Sequence, residues 1–134
     1  MRIHFSLSVY MFTILGVYDW FEVTRTQYAI LFVMCAAVMA GELVNTAVER
    51  AVDLASTEKT EFGKIAKDCA AGAVLVSAIF AVLCGIAILA QPEAFSKMFA
   101  YYKENPLMLL ILAASLVPTF IFIFKGIPER KKDK

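Results

Sequence analysis

The residues of this chain best suited to chemistry fall in one stretch, Gly41-Glu-Leu-Val-Asn-Thr-Ala-Val-Glu-Arg-Ala-Val-Asp53. At roughly 100° per helical residue, Glu42, Asn45, Glu49 and Asp53 lie at about 0°, 300°, 340° and 20°, so four polar groups share an arc of about 80°. The stripe starts inside an apolar block, 28–48, whose only charged residue is Glu42. A carboxylate at membrane depth costs about 2.5–3.5 kcal/mol on insertion scales and is a functional candidate by default. Glu42, the deepest, suits a general base that takes a proton from an alcohol. Glu49, nearer water, can hold Mg²⁺, a hard cation that prefers oxygen ligands and bridges to phosphates. Asn45 lies between them and can orient a carboxylate or a bound hydroxyl. A stripe that only joins helices through hydrogen bonds is the competing reading, and four polar groups on one face weigh against it.

The rest of the chain must hold that stripe in place. The 134 residues are 60% hydrophobic and 19% charged, with a mean hydropathy of +0.71. A soluble domain is nearer 45–50% apolar and about a quarter charged, so a water-soluble globule and a disordered chain are both disfavoured. About 80 apolar residues suffice for four bilayer spans of roughly 20 each. Residues 5–18, 69–92 and 106–124 lack Asp, Glu, Lys and Arg altogether, and with 28–48 they make four apolar blocks. The expected fold class is an all-α polytopic membrane protein. The first block has no small-residue cleavage site after it, so it reads as a retained span extended by Ile3 and His4 rather than a signal peptide.

Placing the N-terminus in the cytoplasm puts ten basic residues inside (Arg2, Arg50, Lys59, Lys64, Lys67, Lys125, Arg130, Lys131, Lys132, Lys134) and three outside (Arg25, Lys97, Lys103). The positive-inside bias favours that orientation, with the 49–68 loop cytoplasmic. Trp20, Tyr28, Tyr101 and Tyr102 fall where aromatic rings meet headgroups. Cys69, Ala73, Ser77, Ala81 and Gly85, four apart, form a small-residue stripe, as do Ala36 and Ala40 beside Ala37 and Gly41, and these two spans are expected to pack together or against copies in an oligomer. Pro118 is expected to kink the last span, and the tail from Glu129 to Lys134 reads as a topology anchor. Cys35, Cys69 and Cys84 have no metal-ligand spacing and read as packing residues. His4 stands alone and reads as an interfacial residue without chemistry. No P-loop, nucleophile elbow or zinc signature is present.

The run Glu42-Leu-Val-Asn45-Thr46-Ala47-Val48-Glu49-Arg-Ala-Val52-Asp53 resembles the signature of the prokaryotic diacylglycerol kinase family, whose Gram-positive members are undecaprenol kinases. That signature reads E-x-hydrophobic-N-[S/T]-[S/A]-hydrophobic-E-x-x-V-D, and every specified position is met. Lys64-Ile-Ala-Lys67-Asp68-Cys-Ala-Ala-Gly-Ala-Val-Leu resembles the family's approach to its third span, and the similarity covers about residues 2–90.

The resemblance implies an integral-membrane lipid kinase of the bacterial plasma membrane, a homotrimer of three-span subunits with an N-terminal surface helix. By similarity Glu42 is the base that deprotonates the lipid hydroxyl, and Glu49 binds the Mg²⁺–ATP complex. Glu58, Glu61, Lys67 and Asp68 match ATP-contacting positions, while Asn45, Asp53 and Ala71 belong to the surrounding network. Ala71, where some diacylglycerol kinases carry Ser, tips the substrate toward undecaprenol over diacylglycerol.

Family members also carry a surface helix and a second metal-binding Glu before the Arg-Ile-His that here begins at position 2, so an N-terminally truncated member is expected, its activity in question. Residues 1–90 then form the kinase core, and 91–134 add an outer segment, a fourth span and the basic tail. Two other readings compete. One is a small proton- or ion-conducting protein with Glu42, Asn45 and Glu49 as a relay. The other is an inactive homologue that binds lipid or a partner kinase. The acids and Lys67-Asp68 at the inner surface favour an ATP site, since a relay has no use for them.

Overall fold

The structure is a computed structural model that describes residues 2–55 and 60–125. Within them the chain is all helix: α1 (Arg2–Val17), α2 (Arg25–Ala55), α3 (Glu61–Leu89), α4 (Pro92–Glu104) and α5 (Pro106–Lys125). Glu58, Lys59 and the Glu129–Lys134 tail lie outside the described residues.

Of the four apolar blocks, three form helices long and apolar enough to cross a membrane: α2, α3 and Pro106–Phe124 of α5. The first block differs. Its helix has 16 residues, about 24 Å at 1.5 Å per residue, against a hydrocarbon core of about 30 Å. By contrast, α2 and α3, with 31 and 29 residues, run to about 46 and 44 Å and must extend well beyond the hydrocarbon. That overhang carries the lower half of the polar stripe.

Residues Ile3–Gln91 form one compact unit, and the segment from Pro92 onward forms another. In the first, α2 starts with a reciprocal cap: Gln27 N–H donates to Thr24 Oγ1 (3.3 Å), and Thr24 N–H donates to Gln27 Oε1 (2.8 Å). This satisfies two donors that a helix start otherwise leaves unpaired. Thr60 caps α3 by accepting from Gly63 N–H at 3.1 Å.

The packed seam of α3 follows Gly63, Lys67, Ala70, Val74, Ser77, Ala81, Cys84 and Ile88, and that of α2 follows Leu31, Met34, Val38, Gly41, Asn45, Val48 and Val52. Steps of alternately three and four residues keep a seam facing its partner, whereas steps of four drift around the helix. The small-residue stripe expected from fours therefore divides: Cys69 and Ala73 are exposed, Ser77 and Ala81 lie on the seam, and at Gly85 the stripe has moved one residue off it.

The loop end of this unit is tied together. Leu15, Leu31 and Ile88 are buried among Met11, Phe12, Phe21, Val23, Tyr28 and Leu89. Tyr28 O–H donates to Leu15 C=O (2.8 Å). The Gln91 amide accepts from Glu22 N–H (3.0 Å) and donates to Glu22 C=O (3.1 Å) and Ile88 C=O (3.0 Å). α1 reaches α2 through long side chains, with the Phe12 and Phe32 rings stacked at 4.0 Å.

In the second unit, Pro92 and Pro106 each open a helix, where the missing N–H is no loss. α5 continues as helix through Pro118.

Candidate active site

The α2 stripe comes out in three tiers. The deepest is Glu42, whose side chain is 16% exposed and whose Oε1 lies 2.8 Å from His4 Nδ1 on α1. About one turn on, Asn45 Nδ2 donates to Glu49 Oε1 at 2.8 Å, an i, i+4 pair on one helix face. Asn45 Oδ1 is buried in the α2–α3 seam with no hydrogen-bond partner among the described residues. A buried carbonyl oxygen left so costs about 1–3 kcal/mol, and a hydroxyl or N–H donor from a ligand would recover it. The third tier is Asp53, whose Oδ1 accepts from Lys67 Nζ of α3 at 2.6 Å.

From Glu42 to Asp53 the helix rises about 16 Å, so the stripe runs from membrane depth to the overhanging end of α2. Glu49 and Asp53 are exposed, as are Glu61, Asp68 and Ala71. Glu61 stands in the first turn of α3, where a carboxylate is favoured by the helix dipole. The structure thus brings Glu42 to His4, Asn45 to Glu49 and Lys67 to Asp53, and Lys67 pairs with Asp53 rather than with Glu49. Glu58 lies outside the described residues.

Sequence reasoning passed over His4. It is the sole histidine of the chain and the partner of the deepest carboxylate. The topology gives the missing signal: a hairpin of α1 and α2 sets the start of α1 level with the later half of α2, where Glu42 needs a donor.

Two apolar cavities open beside this pair. One, about 350 Å³, is lined by His4, Ser8 and apolar side chains that include Leu7, Met11, Val38 and Ala81. The other, about 630 Å³, lies between Phe5, Phe12, Phe32 and Met39. His4 is the only titratable imidazole, amine or carboxylate among the described lining residues of either. Such a surface accepts hydrocarbon, with a polar group at one end.

Among the described residues no three His, Cys, Asp or Glu side chains converge as a metal cage. Glu49 offers a single exposed carboxylate, a hard-oxygen donor that Asn45 Nδ2 holds in place. It fits Mg²⁺, which is commonly held by one or two carboxylates, with phosphates and water completing the shell.

The family model for prokaryotic diacylglycerol kinase matches residues 1–89. The chain is 51% identical over 65 residues to a diacylglycerol kinase of Synechocystis sp. (strain ATCC 27184 / PCC 6803 / Kazusa), and 37% identical over 67 residues to an undecaprenol kinase of Bacillus subtilis (strain 168). These matches cover 48% and 50% of this chain, and 37% and 54% of those proteins, so the chain spans about half or less of the length of the curated relatives it matches. No solved structure matches it.

Proposed function

The chain belongs to the prokaryotic diacylglycerol kinase family, and on that footing we propose that it transfers the γ-phosphoryl group of ATP to the hydroxyl of a membrane lipid at the cytoplasmic face of the bilayer. The observation that carries the proposal is the vertical order of the stripe. A half-buried carboxylate, Glu42, sits beside hydrocarbon-accepting cavities, and the exposed acids and the lysine follow toward the overhanging ends of α2 and α3. A lipid alcohol approaches from the membrane and a nucleotide from water, and the stripe is ordered to meet both.

In this reading the lipid tail stays against the apolar surfaces and only the hydroxyl reaches the polar tier. Loss of the hydroxyl proton depends on the Glu42 carboxylate. Asn45 Oδ1 accepts from a donor on the bound substrates, while its amide holds Glu49 in place. Glu49 would hold Mg²⁺, which when bound would supply charge neutralisation on the phosphates. Lys67, Glu61 and Asp68 contact ATP, as does Glu58 by the family resemblance, and Lys67 can exchange its bond to exposed Asp53 for a phosphate oxygen. Transfer is in line, and positioning and electrostatics carry most of the rate. Undecaprenol is the preferred acceptor and diacylglycerol the second, on the small side chain of Ala71. The unit Ile3–Gln91 works as a homotrimer, with the N-terminus and the 49–68 loop cytoplasmic.

The test is phosphorylation of each alcohol from γ-labelled ATP by the full chain in lipid bicelles with Mg²⁺. Label in undecaprenyl phosphate or phosphatidic acid supports the reading. Absence of label from both lipids refutes it.

A further inference from the structure

We propose that the base at the lipid hydroxyl is a His4–Glu42 pair in which the imidazole takes the proton and the carboxylate acts through it. The inference rests on the kinase reading above and gives that site a further catalytic residue.

Three observations converge. His4 Nδ1 lies 2.8 Å from Glu42 Oε1, a bond between helices across 38 residues of sequence. Glu42 is only 16% exposed, whereas His4 is 41% exposed and can reach both a substrate and water. His4, and not Glu42, lines the apolar cavity of about 350 Å³. A lipid chain lying in that cavity therefore presents its hydroxyl to the imidazole, with the carboxylate behind it.

In the tautomer that donates Nδ1–H to the partly buried carboxylate, the neutral ring has a bare Nε2, and a bare Nε2 accepts a proton from a hydroxyl. Nε2 has no hydrogen-bond partner among the described residues. Ser8 Oγ donates to the His4 carbonyl at 2.8 Å, adding a tie at the backbone of the same turn.

The step balances as follows. The lipid O–H proton moves to Nε2 as the oxygen forms a bond to the γ-phosphorus of ATP. The bond from that phosphorus to the β,γ-bridging oxygen breaks, and ADP leaves with the electron pair. The Glu42 carboxylate stays ionised and pairs with the imidazolium, and Nε2 then releases its proton to water, which restores the neutral ring. No other reactant is required.

The experiment compares wild type, H4N, H4A and E42Q as full chains in bicelles, with γ-labelled ATP and undecaprenol or diacylglycerol. Asparagine at position 4 keeps an N–H donor where Nδ1 stood but removes the proton acceptor. Both H4N and E42Q are expected to lose about 100-fold or more in kcat, in line with removal of an acid–base group. Neither should raise the KM for ATP, and added imidazole should restore turnover to H4A. The nitrogen shifts of the single histidine provide a second readout, expected to show Nδ1 protonated and Nε2 bare in wild type. H4N turning over within a few-fold of wild type while E42Q is inactive would make Glu42 a lone base and overturn the role given to His4. A histidine protonated at Nε2 with a bare Nδ1 would overturn it as well. Failure of wild type to label either lipid would instead sink the kinase reading itself.

Discussion

At the residue scale the site depends on how each carboxylate is held. Glu42 is enclosed and bonded to His4, whereas Asp53 and Lys67 form a pair whose side chains are 65% and 36% exposed. Exposed pairs contribute about 0–1 kcal/mol, because water screens them and ordering two side chains costs entropy. A double-mutant cycle with D53N and K67M should therefore give a stability coupling of about 1 kcal/mol or less by denaturation in detergent. The same K67M change should raise the KM for ATP severalfold, since the ammonium is lost from the nucleotide surface; an unchanged KM would place the nucleotide elsewhere. At Asn45 the unpartnered Oδ1 gives a sharper expectation. N45D keeps the shape but replaces the donor to Glu49 with a second negative charge. It should cost about 10-fold or more in transfer, because Glu49 loses its donor and like charges four residues apart on a helix repel. Glu42, Asn45, Glu49 and Asp53 were legible as a set because a helical period puts them on one face. His4 was not, because its partner lies 38 residues away and a lone histidine carries no period.

At the element scale the start of α3 decides whether Lys67 meets α2 at all. A Cβ at Gly63 would stand 2.9 Å from both Thr60 Oγ1 and Val52 Cγ1, too close to keep either in place. Both neighbours are β-branched and stiff at χ1, so relief means moving α3 or breaking the Thr60 cap. G63A should thus destabilise the α2–α3 pair by about 1 kcal/mol despite the better helix propensity of Ala. It should also raise the KM for ATP by displacing Lys67. Gly41 provides the contrast. Its added Cβ would meet Val74 at 3.6 Å, ordinary contact, so G41A should leave thermal stability and ATP affinity unchanged or slightly improved. The helices themselves were readable from their apolar blocks, and the close packing of α2 on α3 from their small residues. The seam was misread in part, because a stripe counted in fours rotates off the interface while the structure alternates threes and fours. The first block was readable as short, and it was still read as a retained span. The count was nonetheless in the sequence: residues 5–18 with Ile3 and His4 make 16, the length of α1, and 16 residues fall short of the hydrocarbon thickness.

At the scale of the whole molecule that shortfall bears on topology. The proposed cytoplasmic placement of both His4 and the 49–68 loop requires α1 to cross the bilayer, although it is about 6 Å shorter than the hydrocarbon core. Two features let it do so. The segment after Val17 carries Tyr18 and Trp20, whose rings stack at 4.1 Å and suit the headgroup layer. The Gln91 amide bonds to Glu22 and the Leu15–Leu31–Ile88 cluster hold that end of α1 to the outer ends of α2 and α3, so its position is set by longer neighbours rather than by its own length. Local thinning of the bilayer around α1 would bring headgroups and water toward His4 and Glu42, where the proposed transfer needs a lipid hydroxyl to arrive. The arrangement is open to direct measurement. With Cys35, Cys69 and Cys84 replaced by Ala or Ser, single cysteines at Asp19 and Thr60 should react with a membrane-impermeant maleimide from opposite sides of sealed cells or vesicles. D19C should react from outside and T60C only once the cytoplasmic face is opened. Labelling of both positions from the same side would mean that α1 and α2 do not form the hairpin on which the ordered stripe, and with it the lipid-to-nucleotide direction of transfer, depends.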